Sequence, residues 1–301
     1  MIYNMNCLNS FQSGIVSKKM GLSVTFDIAL DAQFTKTTTT DSLYDVYTIV
    51  GQKRSDEGTF TDSNDKIVYA TFKTINTSSR TIYYVCVGGG GYTYSDSTAN
   101  TGGGGAGAFF EGAFTINANT SSITYKLTAG GSYNTSAITQ GTNNTATSGR
   151  GGIAYRLGST QAQRNGTLGS SGGGSSTGST GADNIGQGDS PGNDGGDAVS
   201  GDSASVRAAG GGGGAGGAGR EGVLQGGTGR GGAGGAGKVP SNAAISSIYP
   251  TALCVGGGGH GGSTNGSSPP TFGSGAGGRS NDSTTYRYGQ PGAIIIAVPR
   301  T

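Results

Sequence analysis

Tryptophan is absent from the chain, and histidine occurs once, at His260. A single imidazole leaves Ser/His/Asp and Cys/His nucleophilic arrangements only one candidate base. That base lies in GGGGHGG, where no strand or helix pattern holds it still, so a packed or exposed histidine is expected and not a catalytic one. The three cysteines, Cys7, Cys86 and Cys254, are odd in number and far apart. They form no CxxC pair, so neither a disulfide framework nor a zinc site is expected. Cys86 and Cys254 sit in apolar, strand-like runs and read as buried free thiols. Seven prolines are too few for collagen triplets.

Charge is scarce as well. Lys and Arg number 19 against 17 Asp and Glu, a net +2 that gives no bulk attraction to nucleic acid or acidic membrane. The longest apolar run, residues 293–298, is far short of the ~20 residues that cross a bilayer. The first 25 residues show no signal-peptide core, so synthesis in a cytoplasm and no membrane insertion are expected.

What the chain has in excess is glycine: 64 of 301 residues, about three times the ordinary share of roughly 7%. Each glycine inside a helix costs about 1 kcal/mol relative to alanine, which argues against a helical domain. The distribution is uneven. Only Gly14, Gly21, Gly51 and Gly58 precede residue 88. That early part alternates with a period of two, as in Leu22, Val24, Phe26, Ile28 and Leu30. Residues 43–50, 67–72 and 82–87 read as further strands. After residue 88 the strands become islands, at 108–116, 123–128, 153–157, 248–255 and 293–298, among glycine blocks.

The densest tract carries a three-residue repeat, with glycine at 210, 213, 216, 219 and 222 and again at 226, 229, 232 and 235. Period three is that of a polyproline-II-type helix, which has no internal hydrogen bonds. Several such strands side by side satisfy one another's N–H and C=O groups, because glycine lets backbones approach closely. Ordered scaffold is therefore expected in preference to slack linker. The expected fold is all-β: an antiparallel β-sandwich or jelly-roll-like core with glycine-rich loops and packed polyglycine-II strands. Residues 1–50 are expected to form an N-terminal β arm, and 51–301 a glycine-rich β domain with a Ser/Thr/Asp-rich insertion at 158–206.

From residue 58 to 298 the order of elements resembles the glycine-rich domains of bacteriophage tail-fibre and large-virus surface proteins. The motifs that carry the resemblance are Gly58-Thr59-Phe60-Thr61, the strand 82–87 running into glycines 88–91, and glycines 102–105 followed by Phe109 and Phe110. A strand pair ending at Gly130-Gly131 follows, and the closing strand is Pro291-Gly292-Ala293-Ile294-Ile295-Ile296. The resemblance implies a non-enzymatic virion protein, a fibre or minor capsid component. Its partners would be other virion proteins or its own copies, and residues 1–50 would be an attachment segment. A host receptor-binding adhesin and a glycine-rich extracellular or cell-wall protein are the alternatives.

Chemical motifs are sparse. Residues 232–238 spell GAGGAGK, but Val239 stands where a phosphate-binding loop needs Ser or Thr, and Pro240 blocks the following helix. Asp189, Asp194, Asp197 and Asp202 make only a fragment of a calcium-binding repeat and read as a solvated acidic loop. Arg150-Gly151-Gly152 and Arg230-Gly231-Gly232 are two isolated RGG triplets, too few for a nucleic-acid footprint. No cofactor, metal or nucleic acid is expected. The remaining candidates are aromatics expected to be exposed, in or beside polar loops: Tyr92, Tyr94, Tyr155, Phe272, Tyr286 and Tyr288. Two roles stand open for them, contact with a host glycan or protein, or covering the thin core of a glycine bundle.

Overall fold

The computed structural model describes residues 21–28, 33–40, 42–53, 65–75, 77–95, 100–156, 171–176, 192–199, 207–261, 264–278 and 286–300. Two five-stranded antiparallel sheets face each other. The first orders β1 (Gly21–Ile28), β4 (Lys66–Ile75), β8 (Ile123–Ala129), β9 (Ser136–Gln140) and β10 (Asn143–Ser148). The second orders β2 (Gln33–Thr38), β3 (Tyr44–Val50), β15 (Ala293–Pro299), β5 (Arg80–Val87) and β7 (Phe109–Ile116). Alternation builds the space between them: Val68, Ala70 and Phe72 of β4 meet Ile82 and Cys86 of β5 and Ile294, Ile296 and Val298 of β15, all buried. The fold is thus the expected all-β sandwich. Among the described residues no helix is long and apolar enough to cross a membrane.

β15 explains its own unbroken AIIIAV sequence. Its even-numbered side chains enter the sandwich, while Ile295 and Ala297 point to a second core with Val46, Val85, Val87, Ala106, Ile245, Leu253 and Cys254. A strand buried on both faces has no use for alternation. Residues 248–255, expected as a strand, are a correction. Their first residue, Ile248, ends a six-residue helix, α1 (Ala243–Ile248), capped by the Asn242 side chain accepting from the amides of Ala244 and Ile245. The segment then keeps only an isolated bridge between Leu253 and Lys238, and Cys254 takes a left-handed φ of 55°. The run is apolar because it covers the second sheet, not because it pairs within one. Within residues 21–50, β3 pairs with β15 along its whole length, and β1 pairs with residues 68–75 of β4.

The glycine blocks continue from one end of the sandwich. Val50, Ala293, Val87 and Phe109 lie in one row across the second sheet, and Gly51, Gly292, Gly88 and Ala108 lead away from it. Beyond that row the chain forms a lattice with a three-residue period. Gly103 and Ala106 donate to the carbonyls of Gly210 and Gly213; Gly104 and Gly107 donate to Ala276 and Gly273; Gly105 and Ala108 donate to Gly152 and Gly149. The carbonyls of the same strand accept from residues 88 and 91, from 171 and 174, and from 257. Six chain segments therefore surround one, three taking its donors and three its acceptors. The strand at 209–215 repeats the rule, donating at steps of three to 260, 257 and 254, to 175 and 172, and to 220 and 217.

At most of its glycines such packing leaves no room for Cβ. A methyl group built on Gly103, Gly105, Gly210, Gly211 or Gly212 would fall below 3.0 Å from a backbone carbonyl of a neighbouring strand. At the lattice rim the rule relaxes: in 232–236, Gly232 and Gly235 are buried while Ala233 and Ala236 are exposed. GGG marks an interior strand and GGA a rim strand. Two details of the expected repeat need correcting. Residues 210–222 are two antiparallel lattice strands, reversed where Gly214 donates to Gly217. Gly226 and Gly227, both with positive φ, form the turn of a hairpin between β12 (Val223–Gln225) and β13 (Thr228–Arg230). The described pieces of the 158–206 insertion, 171–176 and 192–199, supply lattice strands.

Candidate functional site

Four of the six predicted aromatics meet at one place. A small sheet pairs β6 (Thr93–Ser95) with β11 (Ala154–Arg156) in parallel and with β14 (Tyr286–Arg287) antiparallel. Tyr92 lies at its centre, with ring centroids 5.0 Å from Tyr133, 5.5 Å from Tyr286 and 5.7 Å from Tyr288. Tyr94 approaches Tyr286 to 4.6 Å. The Tyr155 backbone pairs with Tyr94, and its side chain lies outside the described part of the structure. Phe272 belongs elsewhere, beside Tyr249 in the second core.

The expected exposure is corrected by this geometry. Tyr92 is 8% exposed and Tyr288 2%, while Tyr94 and Tyr286 are half-buried. Each ring follows or precedes a glycine block: Tyr92 after 88–91, Tyr133 after Gly130-Gly131, Tyr288 before Gly289. Hydroxyls between them close off lattice carbonyls. Ser132 Oγ donates to Gly289 at 2.7 Å and Thr93 Oγ1 to Gly277 at 3.2 Å. The cluster is an end cap: rings replace the strands that would otherwise surround the last glycines, so their backbone groups remain dry and paired.

Sequence reasoning missed Tyr133, and it is the most informative residue of the group. It sits in a turn closed by Asn134 N–H donating to Gly131, at a φ of 64° that a tyrosine rarely adopts. Asp65 Oδ1 accepts from Gly131 N and Asn134 Nδ2, fixing that turn, and the Arg150 guanidinium lies 4.2 Å over the Tyr133 ring. Burial pushes the Tyr133 hydroxyl pKa up, with Arg150 opposing. A strained backbone held by three partners is retained only where its surroundings determine it. The motif GGSYN was the available signal, since a ring beside paired glycines needs a partner surface.

The remaining chemical motifs lie in the lattice or beside it. His260 is fully buried, its carbonyl accepting from Ala209 and its amide donating to Thr101 as a lattice member. Gly232–Gly237 is a rim strand, and Lys238 Nζ stands 5.5 Å over the Phe109 ring. The carbonyls of Asp194 and Asp197 accept from Gly219 and Gly222, while Asp189 and Asp202 lie outside the described residues. Arg230 bonds Gln225 in its own hairpin. Gly58-Thr59-Phe60-Thr61 also lies outside the described residues. A pocket of about 250 Å³ between Phe109, Phe110, Glu111 and Lys238 is smaller than the roughly 300–1,000 Å³ of ordinary ligand sites. No group of three metal-ligating side chains occurs among the described residues.

No curated protein and no solved structure matches the chain. A family model described as a glycine-rich domain matches residues 68–299, from the third residue of β4 to the last of β15. That span takes in the lattice, the tyrosine cluster and strands β5, β7 and β15 of the second sheet, and the chain belongs to this glycine-rich domain family.

Proposed function

We propose that the protein is a non-enzymatic building block of a virus particle, a fibre or minor capsid component. The observation that carries this reading is the lattice. A large share of the chain is committed to main-chain packing in which side chains are excluded, a use of sequence that yields a stiff body and few chemical groups. The likeness of its motifs to tail-fibre and large-virus surface domains supports the same reading, with localisation in the virion and other virion proteins or its own copies as partners. Purified particles analysed by quantitative mass spectrometry should contain the chain at a fixed copy number. Its absence from particles overturns the proposal.

A second reading, a host receptor-binding adhesin, is favoured by one observation: Tyr94 and Tyr286 present half-buried rings side by side at the lattice end. Ring faces of this kind suit glycan and protein surfaces. Purified protein should then bind host cells and compete with infection, and Tyr94→Ala should abolish both. Failure to bind removes this reading and leaves the first intact.

A further inference from the structure

We propose that β1 is a self-association edge, pairing antiparallel with β1 of a second copy to join the two first sheets into one ten-stranded sheet. Among the described residues β1 pairs only with β4, which leaves one side of its backbone as an open row of donors and acceptors. Proteins ordinarily defend such an edge with shortness, proline, bulges or inward charge. β1 is eight residues long, in unbroken register with β4, without proline, and its inward side chains are Leu22, Val24 and Phe26.

The apolar space behind this edge is incompletely closed. Leu22, Val24 and Phe26 are only half-buried, and so is Phe34 of β2 on the facing sheet, although Phe26 lies 4.9 Å from Phe34 and 4.5 Å from Tyr47. A second β1 extends that slot with side chains of the same kind. The strand is self-complementary. In a two-fold register centred on Val24, Leu22 faces the second copy's Phe26, Ser23 faces Thr25, and Gly21 faces Asp27, the strand's one charge. Apolar meets apolar inside, hydroxyl meets hydroxyl outside, and no like charges oppose each other, which favours this chain over a strand of unrelated sequence.

The joint rests on strand pairing and does not depend on the virion reading. One strand pair buries less than the ~1,600 Å² of a standard interface, so association is expected to depend on concentration. Sedimentation equilibrium of the full chain from about 1 µM to about 500 µM should show a monomer–dimer equilibrium. The exposed pair Ser23→Lys/Thr25→Lys sets lysines opposite lysines and should weaken the dimer at least tenfold with unchanged circular dichroism. Mixing it with Ser23→Glu/Thr25→Glu should restore a heterodimer. A chain that stays monomeric throughout, a dimer indifferent to the lysines, or a mixture that stays monomeric overturns the proposal.

Discussion

At the scale of the residue, glycine does opposite things at positions a few residues apart. Gly212 lies inside the lattice, its amide bonded to Gly257 and its carbonyl to Gly235, and a Cβ there would collide with the Gly104 carbonyl. Gly217 lies at the reversal between two lattice strands, where a Cβ would find nothing nearer than the Ala236 methyl at 3.7 Å. Gly212→Ala is therefore expected to destabilise by about 1–3 kcal/mol or more, as overpacking does. Gly217→Ala is expected to be neutral or to stabilise by up to ~1 kcal/mol, through the restricted unfolded chain. Urea denaturation of both variants checks the pair. Equal effects would mean that the glycines are not sorted by packing.

Among elements, the strands of the sandwich were legible because alternation in β1, β4 and β8 states which face is buried, and the AIIIAV run of β15 announces a strand covered on both sides. The helix α1 was not legible, since six residues complete too little of a 3.6-residue pattern to register. The hairpin at Gly226-Gly227 and the reversal at 215–217 were hidden for another reason: glycine on either side of a turn is chemically the same. The tyrosines were found by position but misread in exposure, because their neighbours arrive from residues 130–134, 150–154 and 286–288. If the cluster caps the lattice, Tyr92→Ala should cost about 3 kcal/mol, in the range of large aromatic truncations. Tyr94→Ala, at the half-buried margin, should cost less than half of that. Thermal unfolding of the two variants measures the contrast.

Taken whole, the molecule is a sandwich whose strands run on into a main-chain lattice. Glycine blocks carry no address, so the partner of each lattice strand could not be read from sequence; Gly103 bonds to Gly210 and Gly104 to Ala276 although all the blocks look alike. Register comes from the few groups that differ. Strand ends enter from the sandwich, Asn193 Nδ2 donates to Gly214, Gly102 donates to Ser176 Oγ, and Val255 to Ser274 Oγ. Burial also gives the molecule an alkaline limit. It raises the Cys86 thiol to about 12 and pushes up the Cys254 thiol and the hydroxyls of Tyr47, Tyr84, Tyr125 and Tyr133. The unfolded chain releases these protons at ordinary values near 8.5 for Cys and 10 for Tyr, so the native state holds more protons above them. Stability is then retained below about pH 8.5 and declines as pH rises to about 11. A urea midpoint that stays level across that interval would contradict the burial of these groups.

Amide hydrogen exchange, resolved by residue, bears most directly on the lattice. The amides of residues 103–108 and 209–214 are expected to exchange as slowly as those of β5 and β15, and together with them on adding denaturant. Exchange at the rate of an unstructured glycine peptide, with β5 and β15 still protected, would show that the glycine strands do not hold one another and would contradict the account.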